Sequence, residues 1–388
     1  MAHVLIGYLE ALPAPEVIFS LHRAGHTVSA FARAAGMPAA RLLDRPPHAI
    51  PEGAGAALQA LQALMQGPDA PDLVLPLDDD GVWLTLAALG DDQRIAGARG
   101  PRAVAALDKA IQVEAAREAG LDVPPTVVAR TPADLDRVTD FPAIAKPALA
   151  VQIRDDRPGR GEACYLTGPQ DLDALRTRLA GGEETLLIQP LIAGRGEGIF
   201  GHATSDGVVA WSGHRRLRMM NPHGSGSSAC ISLVPDTDLR ARVEAFLKAL
   251  DWRGPFMVEL LRDATGTPWF MELNGRMWGS LALARRQGLE YPAWAVAAAE
   301  DPAFRPEVPE PPAGPLVQRH LGREFLHLLF VLRGPKSDFH KEDWPGFWSS
   351  VAGVLRPARG RAFYNHDPAH PWYPLRDAAW TIRKALGR

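Results

Sequence analysis

Apolar positions in the first hundred residues alternate between strand-like runs and helix-like spacing. The predicted strands lie at residues 3–6, 26–31 and 72–77, and the predicted helices at 15–24 and 56–65. This alternation is typical of a doubly wound α/β unit. The first turn, Gly7-Tyr8-Leu9-Glu10, lacks the GxGxxG pattern that binds a dinucleotide, so a nicotinamide-dependent dehydrogenase loses support.

The middle of the chain repeats the alternation with longer elements. Residues 108–119 read as a helix that Asp108 caps and Gly120 ends in a left-handed turn. Further strands are predicted at residues 126–129, 141–147 and 186–189, sheet-like alternation at 198–212, and further helices at 168–179 and 236–250.

The last part of the chain begins with a proline-rich stretch at residues 302–315, which predicts a linker or a wrapping arm. Residues 301–388 then carry 13 Lys/Arg and 9 Asp/Glu together with several tryptophans. Two interpretations stay open for this tail. It is a platform for an anionic partner or a membrane surface, or a helical cap whose aromatic side chains pack on the main body.

Composition narrows the class of protein. A chain of 388 residues is long enough for two or three domains, and its net charge of -3 does not favour nucleic-acid binding. The N-terminus lacks a signal-peptide pattern, and no apolar run approaches the roughly 20 residues of a transmembrane helix. The two cysteines are not spaced for zinc, so we expect a cytoplasmic protein without a membrane span.

The most informative pattern is a predicted hairpin, with strands at residues 254–261 and 268–276 around a turn at residues 263–266. With the turn centred between residues 265 and 266, Glu259 directly faces Glu272. Asn274 and Arg276 follow on the face of Glu272, because strand side chains alternate.

Two facing carboxylates repel each other unless a cation lies between them. Oxygen ligands from Glu259, Glu272 and the Asn274 amide suit Mg²⁺, which often shares one or two carboxylates with substrate phosphates. The pattern therefore predicts a magnesium site, with a solvated surface hairpin as the alternative.

Glu259 and the segment 271–280, Met-Glu-Leu-Asn-Gly-Arg-Met-Trp-Gly-Ser, resemble the paired magnesium strands of carboxylate-amine ligases and carbamoyl-phosphate-synthase-like proteins in the ATP-grasp superfamily. The resemblance implies an α/β (α+β) ATP-grasp fold. Its expected parts are a Rossmann-like pre-ATP-grasp domain (1–103), ATP-grasp subdomain A (104–188), subdomain B (189–300) and a proline-rich arm with a C-terminal helical cap (301–388).

The resemblance also implies a nucleotide site. Lys146 resembles the lysine that reaches the α and β phosphates, Lys109 resembles an earlier basic residue beside them, and residues 157–162 resemble the loop that closes over them. Gln189 belongs to the expected nucleotide-binding hinge, in which the Pro190 carbonyl and the Ile192 N–H would bind adenine, and Glu197 the ribose. Proline at this position departs from the family pattern, but it loses only its N–H and keeps its carbonyl.

Arg216 and Arg218 follow the sheet-like segment and are expected to share a strand face, where they would bind a carboxylate or an acyl phosphate. An exposed basic strand is the alternative. The next loop resembles the substrate-side loop of the ligases, and its candidate binding residues are Asn221, Gly224 and Ser225.

These resemblances together imply an ATP-dependent ligase that joins a small carboxylate to an amine through an acyl phosphate, with Mg²⁺ or alternatively Mn²⁺. Lys146, Arg276 and Arg218 would oppose negative charge in the transition state. The resemblance allows a homodimer. Two alternatives stay open: an ATP-grasp kinase acting on a small molecule, and a non-catalytic nucleotide-binding regulatory protein.

Overall fold

The computed structural model describes residues 1–182, 184–224, 226–335, 344–357 and 361–387. Ser225, one of the expected substrate-binding residues, lies outside them. No described helix is long and apolar enough to cross a membrane.

The N-terminal unit is a parallel sheet in the order β3-β2-β1-β4, as the alternation predicts. Its strands are β1 (His3–Gly7), β2 (Thr27–Ala32), β3 (His48–Ala49) and β4 (Leu73–Pro76), and its helices are α1 (Ala14–Arg23), α2 (Ala54–Gln66) and α3 (Asp79–Leu89). Leu5 packs in a core with Leu61 and Leu84, whereas Ile6 belongs to a second core that contains Val17. Helices thus cover both faces, which explains the continuous apolar runs of the strands.

Two helices, α4 (Pro101–Leu107) and α5 (Lys109–Glu118), lead into a second sheet of antiparallel strands. This sheet has the order β5-β10-β6-β9, formed by β5 (Val127–Ala129), β6 (Ala143–Pro147), β9 (Cys164–Leu166) and β10 (Leu186–Pro190), and α6 (Leu172–Ala180) packs beside it. The small hairpin of β7 (Gln152–Arg154) and β8 (Arg157–Gly159) extends from it. The expected subdomain boundary at residue 188 falls inside β10, all of which belongs to this sheet.

A larger sheet in the order β15-β14-β11-β12-β13-β16-β17 forms the centre of the molecule. Its strands are β11 (Arg195–Thr204), β12 (Gly207–Met219), β13 (Ser227–Ser232), β14 (Gly254–Arg262), β15 (Pro268–Asn274), β16 (Val317–Arg319) and β17 (Arg361–Phe363). Phe246 of α7 (Thr237–Ala249) packs on one face with Phe256 and Phe270. On the other face, Phe200 and Met257 join the core of the N-terminal unit, so the two units share one hydrophobic interior.

The remaining helices are α8 (Leu281–Arg285), α9 (Tyr291–Glu300), α10 (Leu321–Arg333), α11 (Phe347–Leu355) and α12 (Tyr373–Ala385), and short 3-10 turns occur at Pro38–Leu42, Pro132–Arg137 and Pro169–Asp171. Residues 302–315 form neither helix nor strand, as expected. The C-terminal segment is more than the helical extension that we expected, because β16 pairs with β13 and β17 pairs with β16. β16 and β17 have three residues each, which is too short for a readable alternation.

Candidate active site

The predicted carboxylate pair lies at the centre of the edge hairpin formed by β14 and β15. Glu259 is directly opposite Glu272, and Met257 is opposite Asn274, as predicted. Nearer the turn the pairing differs by one residue, because Arg262 faces Pro268 and the turn is centred on Thr265. A bulge at Met271 accounts for the difference, so the expected turn centre was wrong while the pairing of the two glutamates is confirmed.

Basic side chains of the protein neutralise both carboxylates. Arg216 Nη2 lies 2.5 Å from Glu259 Oε1, and Lys109 Nζ lies 3.6 Å from Glu272 Oε2. The Glu259 and Glu272 side chains are 22% and 32% exposed, so both still reach solvent. Three elements far apart in sequence, α5, β12 and the hairpin, thus bring opposite charges together.

Lys146 is the next basic group at this site. It occupies the fourth position of β6, opposite Leu187 of β10. Burial lowers the pKa of its ammonium group; the Glu272 carboxylate opposes this shift, Lys109 adds to it, and Glu259 opposes it. Lys109 and Lys146 therefore share one electrostatic environment with both glutamates, as their expected roles beside phosphates require.

Asn274 is buried, and its amide Nδ2 lies 3.5 Å from Met257 Sδ on the facing strand. Among the described residues no cluster of three or more His, Cys, Asp or Glu side chains could hold a metal ion. The oxygen set at this site consists of two carboxylates and one amide, a chemistry that fits a magnesium ion completed by phosphate oxygens.

Gln112 fixes the strand that carries Glu272 and Asn274, and the sequence analysis missed it. Its Oε1 accepts the Leu273 N–H at 2.8 Å, and its Nε2 donates to the Leu273 carbonyl at 3.2 Å. Gln112 is buried, whereas its neighbour Ile111 is 39% exposed. A polar residue on the inner face of an amphipathic helix is the signal that could have identified it.

Arg276 contacts the N-terminal unit through Asp79, a residue that the sequence analysis did not select. Asp79 Oδ1 lies 3.1 Å from Arg276 Nε, and Asp79 Oδ2 lies 2.7 Å from Arg160 Nη2. Burial raises the pKa of Asp79, but Arg276 and Arg160 outweigh it and hold the pKa below its usual value. Asp79 begins α3 within a run of three aspartates that follows β4, and this acidic run was the available signal.

The loop expected to close over phosphates is docked on the N-terminal unit. Arg157 to Gly159 form β8, and Arg160 beyond it reaches Asp79. At the turn of the hairpin, the Asp156 carbonyl accepts the Ala54 N–H at 2.6 Å, at the first residue of α2. The loop therefore lies beside the same acidic residue that binds Arg276.

Comparison with solved structures identifies the fold. The chain is similar to an L-amino acid ligase from Bacillus licheniformis, with 17% identity over 78% of this chain and 77% of that one and a TM-score of 0.58. An N5-carboxyaminoimidazole synthetase from Staphylococcus aureus, complexed with ADP, matches with 13% identity over 84% of each chain and a TM-score of 0.62. The biotin carboxylase domain of Hydrogenobacter thermophilus 2-oxoglutarate carboxylase, with MgADP, matches with 14% identity over 82% of this chain and 74% of that one and a TM-score of 0.62.

The chain has the ATP-grasp fold. Comparison of the sequence with protein-family models and with curated proteins finds no match. At these identities the solved structures establish the architecture, and the chemistry has to be argued from the residues of this chain.

The expected adenine hinge, residues 189–192, begins with the last two residues of β10. Gln189 is buried, and its Nε2 donates to Thr126 Oγ1 at 2.8 Å. Pro190 pairs with Ala143, and the Leu191 N–H donates to the Pro142 carbonyl. Ile192 follows, and within the described part of the chain its N–H makes no hydrogen bond.

Glu197, the expected ribose ligand, lies away from the other site residues. It pairs with Arg215 and Leu260, whereas Glu259 pairs with its neighbour Gly198, so the two glutamates project from opposite faces of the sheet. Glu197 is buried, with Arg215 Nε and Arg262 Nε each 2.8 Å from one of its oxygens. The structure therefore corrects this expectation: Glu197 is the centre of a buried ion cluster.

Arg218 is also separated from the carboxylate pair. The register of β12 shifts between Arg216 and Arg218, and the Arg218 guanidinium forms two hydrogen bonds to Glu324 of α10, at 2.9 and 2.5 Å. Arg216 and Arg218 thus have different partners, so the expected joint binding of a substrate carboxylate is not what the structure shows.

The expected substrate-side loop follows β12. Asn221 Oδ1 accepts the His223 N–H at 3.1 Å, and the Gly224 N–H donates to the Asn221 carbonyl at 3.0 Å. Gly224 adopts a φ of 121°, which favours glycine at this position. These contacts form a turn beside β13, and Trp344 packs against the His223 ring.

Proposed function

We propose that the protein is an ATP-dependent carboxylate-amine ligase. The observation that carries the proposal is the facing pair Glu259 and Glu272, surrounded by Lys109, Lys146 and Arg216. An alternation of carboxylates and cations at one edge of the ATP-grasp sheet suits a triphosphate, whose charge needs both a metal and basic side chains.

In the proposed reaction, an oxygen of the substrate carboxylate bonds to the γ-phosphorus of ATP and the bond from that phosphorus to the ADP oxygen breaks. The amine nitrogen then bonds to the acyl carbon, inorganic phosphate leaves, and the nitrogen loses a proton. The products are an amide, ADP and phosphate. No protein nucleophile is required, so the contribution of the protein is positioning and charge stabilisation.

The oxygen ligands Glu259, Glu272 and Asn274 fit Mg²⁺, which when bound would neutralise phosphate charge. The contact between Glu272 and Lys109 is long, at 3.6 Å, so Glu272 is free to exchange this partner. Lys109 and Lys146 would bind phosphate oxygens, and Asp79 orients Arg276 beside them. Arg218 is left out of this group because Glu324 binds its guanidinium.

For the nucleotide base, we propose the hinge at residues 189–192. The Ile192 N–H supports this assignment because it makes no hydrogen bond among the described residues and is therefore available to a ring nitrogen. The Pro190 carbonyl would accept the adenine amino group. A competition between ATP and GTP tests this part separately from catalysis.

The cytoplasmic location expected from the sequence also belongs to the proposal. Cys164 and Cys230 are free thiols in the structure, and Cys230 is buried. The homodimer stays a prediction that a sedimentation experiment on the purified chain tests.

The decisive experiment measures ADP and phosphate release from Mg²⁺-ATP with a panel of small acids, with and without amines, and identifies products by mass. We expect release that requires both an acid and an amine, and a product of their summed mass less water. Glu272→Gln should abolish release and leave folding intact. The control is Glu114→Gln, because Glu114 is 62% exposed on α5 and lies outside the site.

Three results count against the proposal. A phosphorylated product would make the protein a kinase, and turnover by Glu272→Gln near the unmodified rate would remove the metal assignment. Tight ATP binding without release across the panel would favour a non-catalytic nucleotide-binding protein.

A further inference from the structure

A cavity of about 330 Å³ lies between the N-terminal unit and the C-terminal helices. The N-terminal wall comes from the loop after β1 and the 3-10 turn at Pro38–Leu42, and the opposite wall from α10 and α12. Small-molecule sites begin at roughly this volume, 300 Å³, which suits a ligand of about amino-acid size.

Two chain segments connect the cavity with the carboxylate site. Met220, which lines it, directly follows β12, the strand of Arg216. Leu12 lines the opposite side, and its Cδ2 would lie 2.9 Å from a Cβ added at Gly279, in the loop that follows Arg276. Two chain segments that lead away from the proposed phosphate-transfer site, after Arg216 and after Arg276, thus reach the cavity.

Arg323 of α10 lines this cavity and has no carboxylate within ion-pair distance among the described residues. Within the described ranges its side chain makes one hydrogen bond, from Nη1 to the Ser227 carbonyl at 3.3 Å. Burial lowers the pKa of its guanidinium, Tyr364 and Asp377 oppose this shift, and Arg216 adds to it. By contrast, Arg216, Arg218 and Arg276 each contact a carboxylate. A partly buried arginine at a cavity wall, with no carboxylate at ion-pair distance among the described residues, suits a carboxylate ligand.

Glu10 lies on the facing wall and is an acidic group with one buried oxygen that is unpaired in the described part of the chain. Its Oε1 accepts the N–H groups of Arg33 and Ala34 at 2.6 and 2.7 Å, whereas Oε2 is buried without a partner among the described residues. Asp377 also lines the cavity, but its Oδ2 lies 3.1 Å from His320 Nε2 and accepts from Asn365 Nδ2 at 2.9 Å. Glu10 is thus the acidic group with an unused buried oxygen, and such an oxygen suits an ammonium donor.

We propose that this cavity is the subsite for an α-amino acid substrate, with the ligand carboxylate bound by Arg323 and its ammonium group bound by Glu10. The assignment as a substrate rests on the proposed ligase function, whereas the binding itself does not. The C-terminal segment then has a direct part in substrate selection, because α10 and α12 supply one wall of the subsite.

The experiment measures binding by calorimetry on the full chain, without nucleotide and then with Mg²⁺-ADP. The probes are the common L-amino acids, each with its matched amine and matched deaminated acid, such as L-phenylalanine, phenethylamine and 3-phenylpropanoate. We expect at least one amino acid to bind and its two truncated analogues to bind far more weakly. Arg323→Gln and Glu10→Gln should each weaken the binding roughly 10- to 100-fold, the usual effect of losing a hydrogen bond to a charged group.

Arg333→Gln is the matched control, because Arg333 ends the same helix, is exposed and does not line the cavity. Melting curves and Mg²⁺-ADP affinity report whether each variant is folded, and Glu10→Gln tests the subsite from the other unit if Arg323→Gln does not fold. Absence of amino-acid binding, or binding unchanged by both substitutions, overturns the proposal. Amino-acid binding without any ATP turnover would leave the subsite standing and contradict the ligase, whereas turnover with acids that lack an amino group would do the reverse.

Discussion

The ion pair between Arg218 and Glu324 allows a quantitative test of how the structure divides the arginines of β12. Glu324 accepts two hydrogen bonds from Arg218 and a third from Ser228 Oγ at 2.7 Å. The Arg218 and Glu324 side chains are 15% and 5% exposed. The pair is well shielded from water, so removing one partner leaves the other charge uncompensated in the interior.

The perturbation is Glu324→Gln, with Arg218→Met and the double variant completing a thermodynamic cycle. Losing one partner of a fully buried pair lowers the free energy of unfolding by about 3–5 kcal/mol. Because Arg218 is partly exposed, we expect Glu324→Gln to lower it by about 3 kcal/mol. Arg218→Met should cost about 2 kcal/mol, because Ser228 and, at 3.9 Å, Arg319 still contact Glu324. The double variant leaves no unpaired charge from this pair, so its free energy of unfolding should fall by about 3 kcal/mol. This is about 2 kcal/mol less than the sum of the two single losses, and the difference is the coupling energy of the pair.

The assay is urea unfolding at neutral pH, followed by tryptophan fluorescence for the four proteins. Losses that add to within about 0.5 kcal/mol would refute the reasoning, since independent sites behave in that way. Turnover is measured at a temperature where each variant is folded. A large loss of turnover in folded Arg218→Met would show that Arg218 takes part in the reaction.

Three further predictions concern the helices and the loop around the site. Burial raises the pKa of Asp78 to about 6, so the folded state holds a proton that the unfolded state releases near pH 4. The free energy of unfolding should therefore fall as pH rises from about 4 to 6. Asp78→Asn should flatten this slope in urea midpoints measured across that range. Arg160→Gln removes the ion pair with Asp79, in which the arginine side chain is 64% exposed, so the free energy of unfolding should change by under about 1 kcal/mol. Limited proteolysis at residues 152–160 should nevertheless become faster. An unchanged cleavage rate would contradict the docking role of Arg160. Gln112→Leu leaves the backbone polar groups of Leu273 without partners and should cost about 3 kcal/mol in the same unfolding assay, and a loss under about 1 kcal/mol would show that these groups find other partners.

The parts of the site that sequence predicts well are local in the chain. The hairpin pairs residues only a few positions apart, and a Gly-containing turn between two apolar strands restricts its register. The pairing of Glu259 with Glu272 followed from this, although the bulge at Met271 compensates for a misplaced turn centre. Lys146 was identified through the family resemblance, and its place in a short apolar strand is the local part of that prediction.

Which charges meet is a different kind of property. Arg216 binds Glu259 while Arg218, two residues later, binds Glu324, and a local register shift in β12 separates them. Glu197 was assigned to the nucleotide, yet the pairing of β11 with β14 places it on the face opposite Glu259. A one-residue difference in register reverses the face of a side chain, and a single sequence does not encode that register between strands distant in the chain.

The sequence by itself therefore determined the α/β alternation of the N-terminal unit and the facing carboxylates, because these depend on the spacing of residues near one another. The tertiary structure alone decided that Asp79 binds Arg276, that Gln112 holds β15, and that Arg323 and Glu10 face one cavity. Such pairs join residues far apart in the chain. Their partners depend on how sheets stack and on which charges burial leaves without compensation, and the spacing of residues along the chain contains neither.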